Sequence, residues 1–166
     1  MFDAQLEWLY ATPLSVSLRE IDTAFAMVES VHVLAITLVF GSIAIVDLRL
    51  MGLASRERSV DQMAAAVLPV TWTAFALAVI SGALLFMSNP PGYFHNAFFF
   101  RKMVLMAMAG INMAVFHLLL NPRTNRDART LAPPPSDRIV GAVSMLLWVA
   151  VIACGRWIGF TMIGGG

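Results

Sequence analysis

Apolar residues run almost unbroken through four stretches of the chain, 24–46, 63–87, 97–120 and 139–163. Each approaches or exceeds the ~20 residues that cross ~30 Å of hydrocarbon. A chain in lipid must satisfy its own backbone, which leaves helices and closed barrels. None of the runs alternates as a barrel strand does, so they predict four transmembrane helices. Pro69 falls in the first turns of the second, where it is expected to bend the helix.

Ahead of the first run the pattern changes. Phe2, Leu6, Leu9 and Tyr10 recur at helical spacing, with Asp3 and Glu7 elsewhere on the wheel. Such a piece lies in the membrane interface, and Trp8 and Tyr10 suit the headgroup layer. Thr12 followed by Pro13 predicts an N-cap with proline at the first helical position. A second amphipathic stretch, with Leu14, Leu18, Ile21 and Phe25 as its stripe, is expected to run straight into the first span. Asn89, Pro90, Pro91 and Gly92 break the chain after the second span, and Asn121 with Pro122 ends the third. Pro133, Pro134 and Pro135 close the next loop, with Ser136 or Asp137 as cap of the fourth helix. The expected fold is all-α: a four-helix transmembrane bundle over 24–163, preceded by an N-terminal amphipathic interfacial segment over 1–23.

Composition agrees with that reading. Hydrophobic residues make up 59% of the 166 and charged residues 13%, about half the charge of a soluble domain. A net charge of +1 argues against a nucleic-acid partner and leaves the lipid bilayer as the main one. The single cysteine, Cys154, excludes an intrachain disulfide and a cysteine-rich metal site. The N-terminus has no basic start or cleavage-type run, so no removable signal peptide is expected, nor lipidation at either end.

Basic residues near helix ends set the orientation. Arg49, Arg56 and Arg58 follow the first span; Arg123, Arg126, Arg129 and Arg138 follow the third. Those loops are expected on the cytoplasmic side of a bacterial inner membrane, with both termini periplasmic. Arg101, Lys102 and Arg156 fall at the outer edge and run against the rule.

An ionisable residue inside a membrane is a functional candidate by default. His32 is expected roughly 8 Å below the outer edge and His117 roughly 5 Å from the cytoplasmic edge, so the two are roughly 15–18 Å apart along the normal and cannot share one metal. Histidine is a common ligand of haem iron, and basic side chains at a membrane edge can hold the propionates. His32 with Arg101, Lys102 and Arg156 above it forms a candidate b-type haem site. His95 supplies a second axial ligand if the Pro-Gly loop folds inward. Beside this stands a bland reading. Glu29 pairs with Arg101, Lys102 or Arg156; His32 hydrogen-bonds Glu29 or Thr71 as polar glue; and His95 lies on the surface.

The third helix carries Met103, Met106, Gly110, Met113 and His117 on one face. Thioether and imidazole together suit copper, giving His32, His117, Met106 and Met113 as candidate metal ligands. Methionine at helical spacing also serves as packing filler. The face of the first helix with His32, Val39, Ile43, Val46 and Leu50 is expected to meet this stripe. Asp47 and Arg49, at that helix's end, read as structural. Gly155 and Gly159 form a Gly-x-x-x-Gly pair suited to close packing within the bundle or across a homo-oligomer. No phosphate loop, His-Glu-x-x-His or nucleophile elbow marks an enzyme.

Ala11-Thr12-Pro13-Leu14-Ser15, Glu29-x-x-His32-Val33-Leu34, Gly41-Ser42 and Asp47-Leu48-Arg49-Leu50-Met51-Gly52 resemble motifs of a family of small bacterial four-helix inner-membrane proteins without assigned function. Asn96-x-x-Phe99-x-x-Lys102 and the stretch from Asn112 to His117 resemble its third-helix signature. The chain is more loosely similar to CopD-type copper-resistance membrane domains and to four-helix haem b cytochromes. Those similarities imply histidines holding haem or copper and reach only His32 and His117; the paired histidines of di-haem cytochromes are not matched. The expectation is a haem b membrane protein in electron transfer or redox sensing, with a quinone or redox partner. Copper handling and a cofactor-free scaffold are the alternatives.

Overall fold

The computed structural model describes residues 2–54, 60–116, 118 and 134–163. Among them are seven helices and no strand: α1 (Phe2–Tyr10), α2 (Pro13–Glu20), α3 (Asp22–Leu50), α4 (Val60–Ser88), α5 (Pro90–Phe94), α6 (Ala97–Val115) and α7 (Pro135–Ile163). Four helical segments, Thr23–Leu50, Ala65–Ser88, Ala97–Val115 and Pro135–Met162, are long and apolar enough to cross a membrane. Leu34, Ile80, Phe100 and Leu146 stand exposed around the outside. Exposed apolar side chains on every span are what a lipid-facing surface requires.

Local chemistry sets the element ends. Thr12 caps α2 by accepting from the Ser15 amide at 3.4 Å, and Pro13 takes the first helical position. Asn96 caps α6, its Oδ1 accepting from the amides of Phe98 and Phe99 at 2.9 and 3.3 Å. Pro69 sits inside α4, which continues past it to Ser88.

Three expected boundaries differ. The amphipathic stretch does not run straight into the first span: Ile21 takes an extended conformation (φ −92°, ψ 101°), ending α2 and opening α3. The first span does not stop at residue 46 but continues to Leu50, which moves Asp47 from a helix end into the last turns of a helix. The fourth helix starts at Pro135, so Ser136 and Asp137 belong to its first turn instead of capping it. Proline's fixed φ and absent amide hydrogen suit that starting position. His117 and the arginines at 56, 58, 123, 126 and 129 lie outside the described residues.

The spans pack in the order α4, α3, α7, α6. Gly141 lets α7 lie directly on the end of α3: a Cβ there would stand 2.9 Å from the Asp47 carbonyl oxygen. Among the described residues no comparable packing joins α4 to α6. They meet at one end through Phe86 and Phe99, stacked with ring centroids 5.5 Å apart. Tyr93 of α5 completes that aromatic group, 6.1 Å from Phe86 and 5.8 Å from Phe99. Below this aromatic group the α4–α6 side of the bundle is lined by a cavity.

The short helices close the same end, which we call the terminal end. Ser15, fully buried, donates to the Met87 carbonyl at 2.7 Å. Arg19 stacks over the Tyr10 ring at 3.6 Å and donates to the carbonyls of Tyr10 and Ser88 at 3.0 and 3.3 Å. One guanidinium thus ties α1 and α2 to the end of α4. The N-terminal helices are a cover on the bundle as well as an amphipathic segment.

Candidate functional site

His32 lies on the third turn of α3 and faces α4. Its Nδ1 is 3.0 Å from Ser81 Oγ. Ser81 Oγ also contacts the Leu77 carbonyl oxygen at 2.6 Å. A serine hydroxyl has one proton. With that proton given to Leu77, as is usual for a serine within a helix, Ser81 meets His32 as an acceptor. His32 Nδ1 then carries the imidazole hydrogen, and Nε2 keeps its lone pair.

Gly82 makes room for the ring. A Cβ there would stand 3.0 Å from His32 Cε1 and 3.5 Å from Nδ1. Ser81 and Gly82 therefore act together, one holding the imidazole and the other admitting it.

Lys102 of α6 lies near enough to His32 for the two to interact electrostatically. Its stem crosses α7 at Gly155, where a Cβ would be 3.6 Å from Nζ. Among the described residues Lys102 has no carboxylate partner. A half-buried ammonium without a counter-ion is costly in hydrocarbon. Toward the terminal end stands Tyr93, whose phenol is pushed up by burial and then by the nearby Glu29 charge, so it remains protonated.

The remaining sequence candidates are dispersed. His95 is exposed, with Nδ1 2.9 Å from the Pro91 carbonyl oxygen and Nε2 3.7 Å from Asp3. Both of its ring nitrogens are turned to partners other than His32. Arg101 lies over Phe98 and Arg156 over Phe160, each guanidinium about 5 Å from the ring centroid and each residue exposed. Glu29 is exposed and does not hydrogen-bond His32. Thr71 donates to Ser42 Oγ at 2.8 Å, so it is not the histidine's partner either. Met106, Gly110 and Met113 face Val39, Ile43, Val46 and Leu50 across a cavity of about 220 Å³, so the two stripes meet there in part; His32 of the first stripe turns to α4 instead. Met103 is exposed. No group of three or more His, Cys, Asp or Glu side chains able to hold a metal occurs among the described residues.

Sequence reasoning missed Ser81 and Gly82. The signal present was two small residues, one polar, side by side in an apolar span. It read Asp47 as structural at a helix end, and the structure buries this carboxyl in the wall of the cavity.

The fold and these polar groups define a four-helix membrane bundle with a histidine and a lysine, within electrostatic reach of each other, among its spans. The chain belongs to DUF6644, a family of unknown function whose profile matches residues 7–161. No curated protein and no solved structure matches it, and no similarity to CopD-type domains or haem b cytochromes is shown.

Proposed function

We propose that this protein binds a b-type haem within the membrane, in an electron-transfer or redox-sensing role, with His32 as an axial ligand. The observation that carries the reading is the Ser81 contact, which engages Nδ1 of His32 and, with Ser81 as acceptor, leaves Nε2 as the nitrogen with a lone pair for a metal. Metal-ligating histidines commonly fix their other ring nitrogen in this way. The haem iron supplies one-electron chemistry when bound. Lys102 offers its ammonium to a propionate, while Arg101 and Arg156 rim the same end. The donor set fits a single-histidine site, since His95 is engaged elsewhere. Orientation belongs to the same proposal: the arginine loops face the cytoplasm of a bacterial inner membrane and the terminal end faces the periplasm.

The test is the absorption spectrum of protein purified after haem-replete expression. A Soret band that shifts on reduction is expected, with at least a tenfold loss of bound haem in His32→Ala. Folded but colourless wild-type protein overturns the reading. Stoichiometric copper without iron in that material would favour the copper alternative through Met106 and Met113, which share a cavity wall. A dimer through α7 is a weaker part of the proposal: Gly155 is occupied by Lys102 within the chain, whereas a Cβ at Gly159 would meet nothing within 4 Å.

A further inference from the structure

The cavity of about 220 Å³ lies toward the end of the bundle opposite the short helices. Asp47, near the end of α3, contributes to its wall and is only 4% exposed. Asp47 is 15 residues beyond His32 on one helix, hence about 22 Å away, so this site is separate from the histidine and stands whether or not haem is bound.

Asp47 is the unsatisfied group of this cavity. Its carboxyl has a hydrogen-bonding interaction with the Ser144 hydroxyl, yet Oδ2 is buried with no hydrogen-bond partner. Among the described residues no ion pair to Asp47 is formed, although Arg49 is buried two residues along the same helix. The neighbouring hydroxyls are already committed: Thr71 donates to Ser42, and Ser42 to the Val39 carbonyl at 2.9 Å. A buried carboxylate without a countercharge is among the costliest arrangements a bundle can hold.

The rest of the wall says what would relieve it. Phe75, Trp72 and Trp148 contribute aromatic rings, and Met106 and Met113 contribute polarizable apolar surface. Aromatic faces attract onium cations, and more strongly where water is excluded. Residues of α4 and α6 face one another here without packing together, which leaves a way in from the lipid. The volume is just below the ~300 Å³ lower bound typical of drug-sized ligands, so the occupant is small.

We propose that this cavity binds a small lipophilic organic cation, its ammonium centre against Asp47 and its apolar body among Phe75, Trp148, Met106 and Met113. The probe is phenyltrimethylammonium, with tert-butylbenzene as its uncharged isostere. Both are measured by equilibrium dialysis against the full chain in detergent. Saturable one-site binding of the cation is expected, weakened at least about tenfold in Asp47→Asn. Gly110→Leu is the second variant: a Cβ at Gly110 meets nothing within 4 Å, so leucine can fill the cavity while Asp47 stays intact, and it should weaken binding comparably. No saturable binding to wild type, unchanged affinity in both variants, or equal competition by tert-butylbenzene overturns the assignment. Loss in Gly110→Leu with Asp47→Asn unaffected overturns the role of the carboxylate.

Discussion

Gly141→Ala lowers the thermal unfolding midpoint of the detergent-solubilised protein, and Gly141→Leu lowers it much further. The added Cβ would stand 2.9 Å from the Asp47 carbonyl oxygen and 3.0 Å from Leu50 Cβ, with Met51 Cγ at 3.4 Å. The first neighbour is backbone inside a helix, so the clash cannot be relieved by a rotamer change. Either α7 moves away from α3 or the end of α3 distorts. Overpacking of this kind costs about 1–3 kcal/mol, and the branched leucine side chain would exceed that range because it must enter the same contact. Gly41→Ala is the matched control, since a Cβ at Gly41 meets nothing within 4 Å; replacing an unneeded helix glycine is neutral or gains up to about 1 kcal/mol. Equal midpoints for Gly141→Ala and Gly41→Ala would mean that the close approach of α3 and α7 does not exist.

The second large effect is expected from Gly82→Val, and it falls on the histidine more than on the backbone. The nearest atoms to a Cβ at Gly82 all belong to the His32 ring: Cε1 at 3.0 Å, Nδ1 at 3.5 Å and Nε2 at 3.9 Å. The ring has to swing away, and it takes the Ser81 hydrogen bond with it. A lost hydrogen bond costs about 0.5–1.5 kcal/mol, so stability falls modestly. The site falls harder, because Nε2 no longer points where Ser81 had fixed it. Haem content, if the proposed cofactor is bound, should drop about as far as in His32→Ala while the protein stays folded. Full haem content in Gly82→Val would show that the ring needs neither the space nor the hydrogen bond.

The hydrophobic pattern made most of the fold legible. Four spans, a capped helix after Thr12 and facing stripes on α3 and α6 follow from periodicity and length, which are local properties of the chain. Ile21 shows where local reading fails: nothing in its apolar stripe announces an extended residue between two helices, and the break arises where α2 turns to pack against α4. Asp47 was visible but misplaced. A first span ending at residue 46 leaves Asp47 just beyond the helix, whereas a helix reaching Leu50 turns the same carboxyl into the bundle beside Ser144. His32 stood out as an intramembrane histidine, but its partner is 49 residues away on α4. Which span lies beside α3 is a matter of helix order, and single-chain periodicity does not encode that order. Lys102, an exception to the orientation rule that the sequence already grouped with His32, does lie within electrostatic reach of it. Arg101 and Arg156 looked equivalent to it in sequence, yet each turns onto a phenylalanine of its own helix and away from the interior.

The account depends on the tautomer of one ring. Nitrogen-15 NMR of histidine-labelled protein, with His32 assigned by comparison with His32→Ala, reads it directly. The predicted result is a neutral imidazole with its hydrogen on Nδ1 and an unprotonated Nε2, changing on substitution of Ser81 by alanine. A hydrogen found on Nε2, with Nδ1 bare and accepting from Ser81, would contradict the account and remove the reason to place iron at His32.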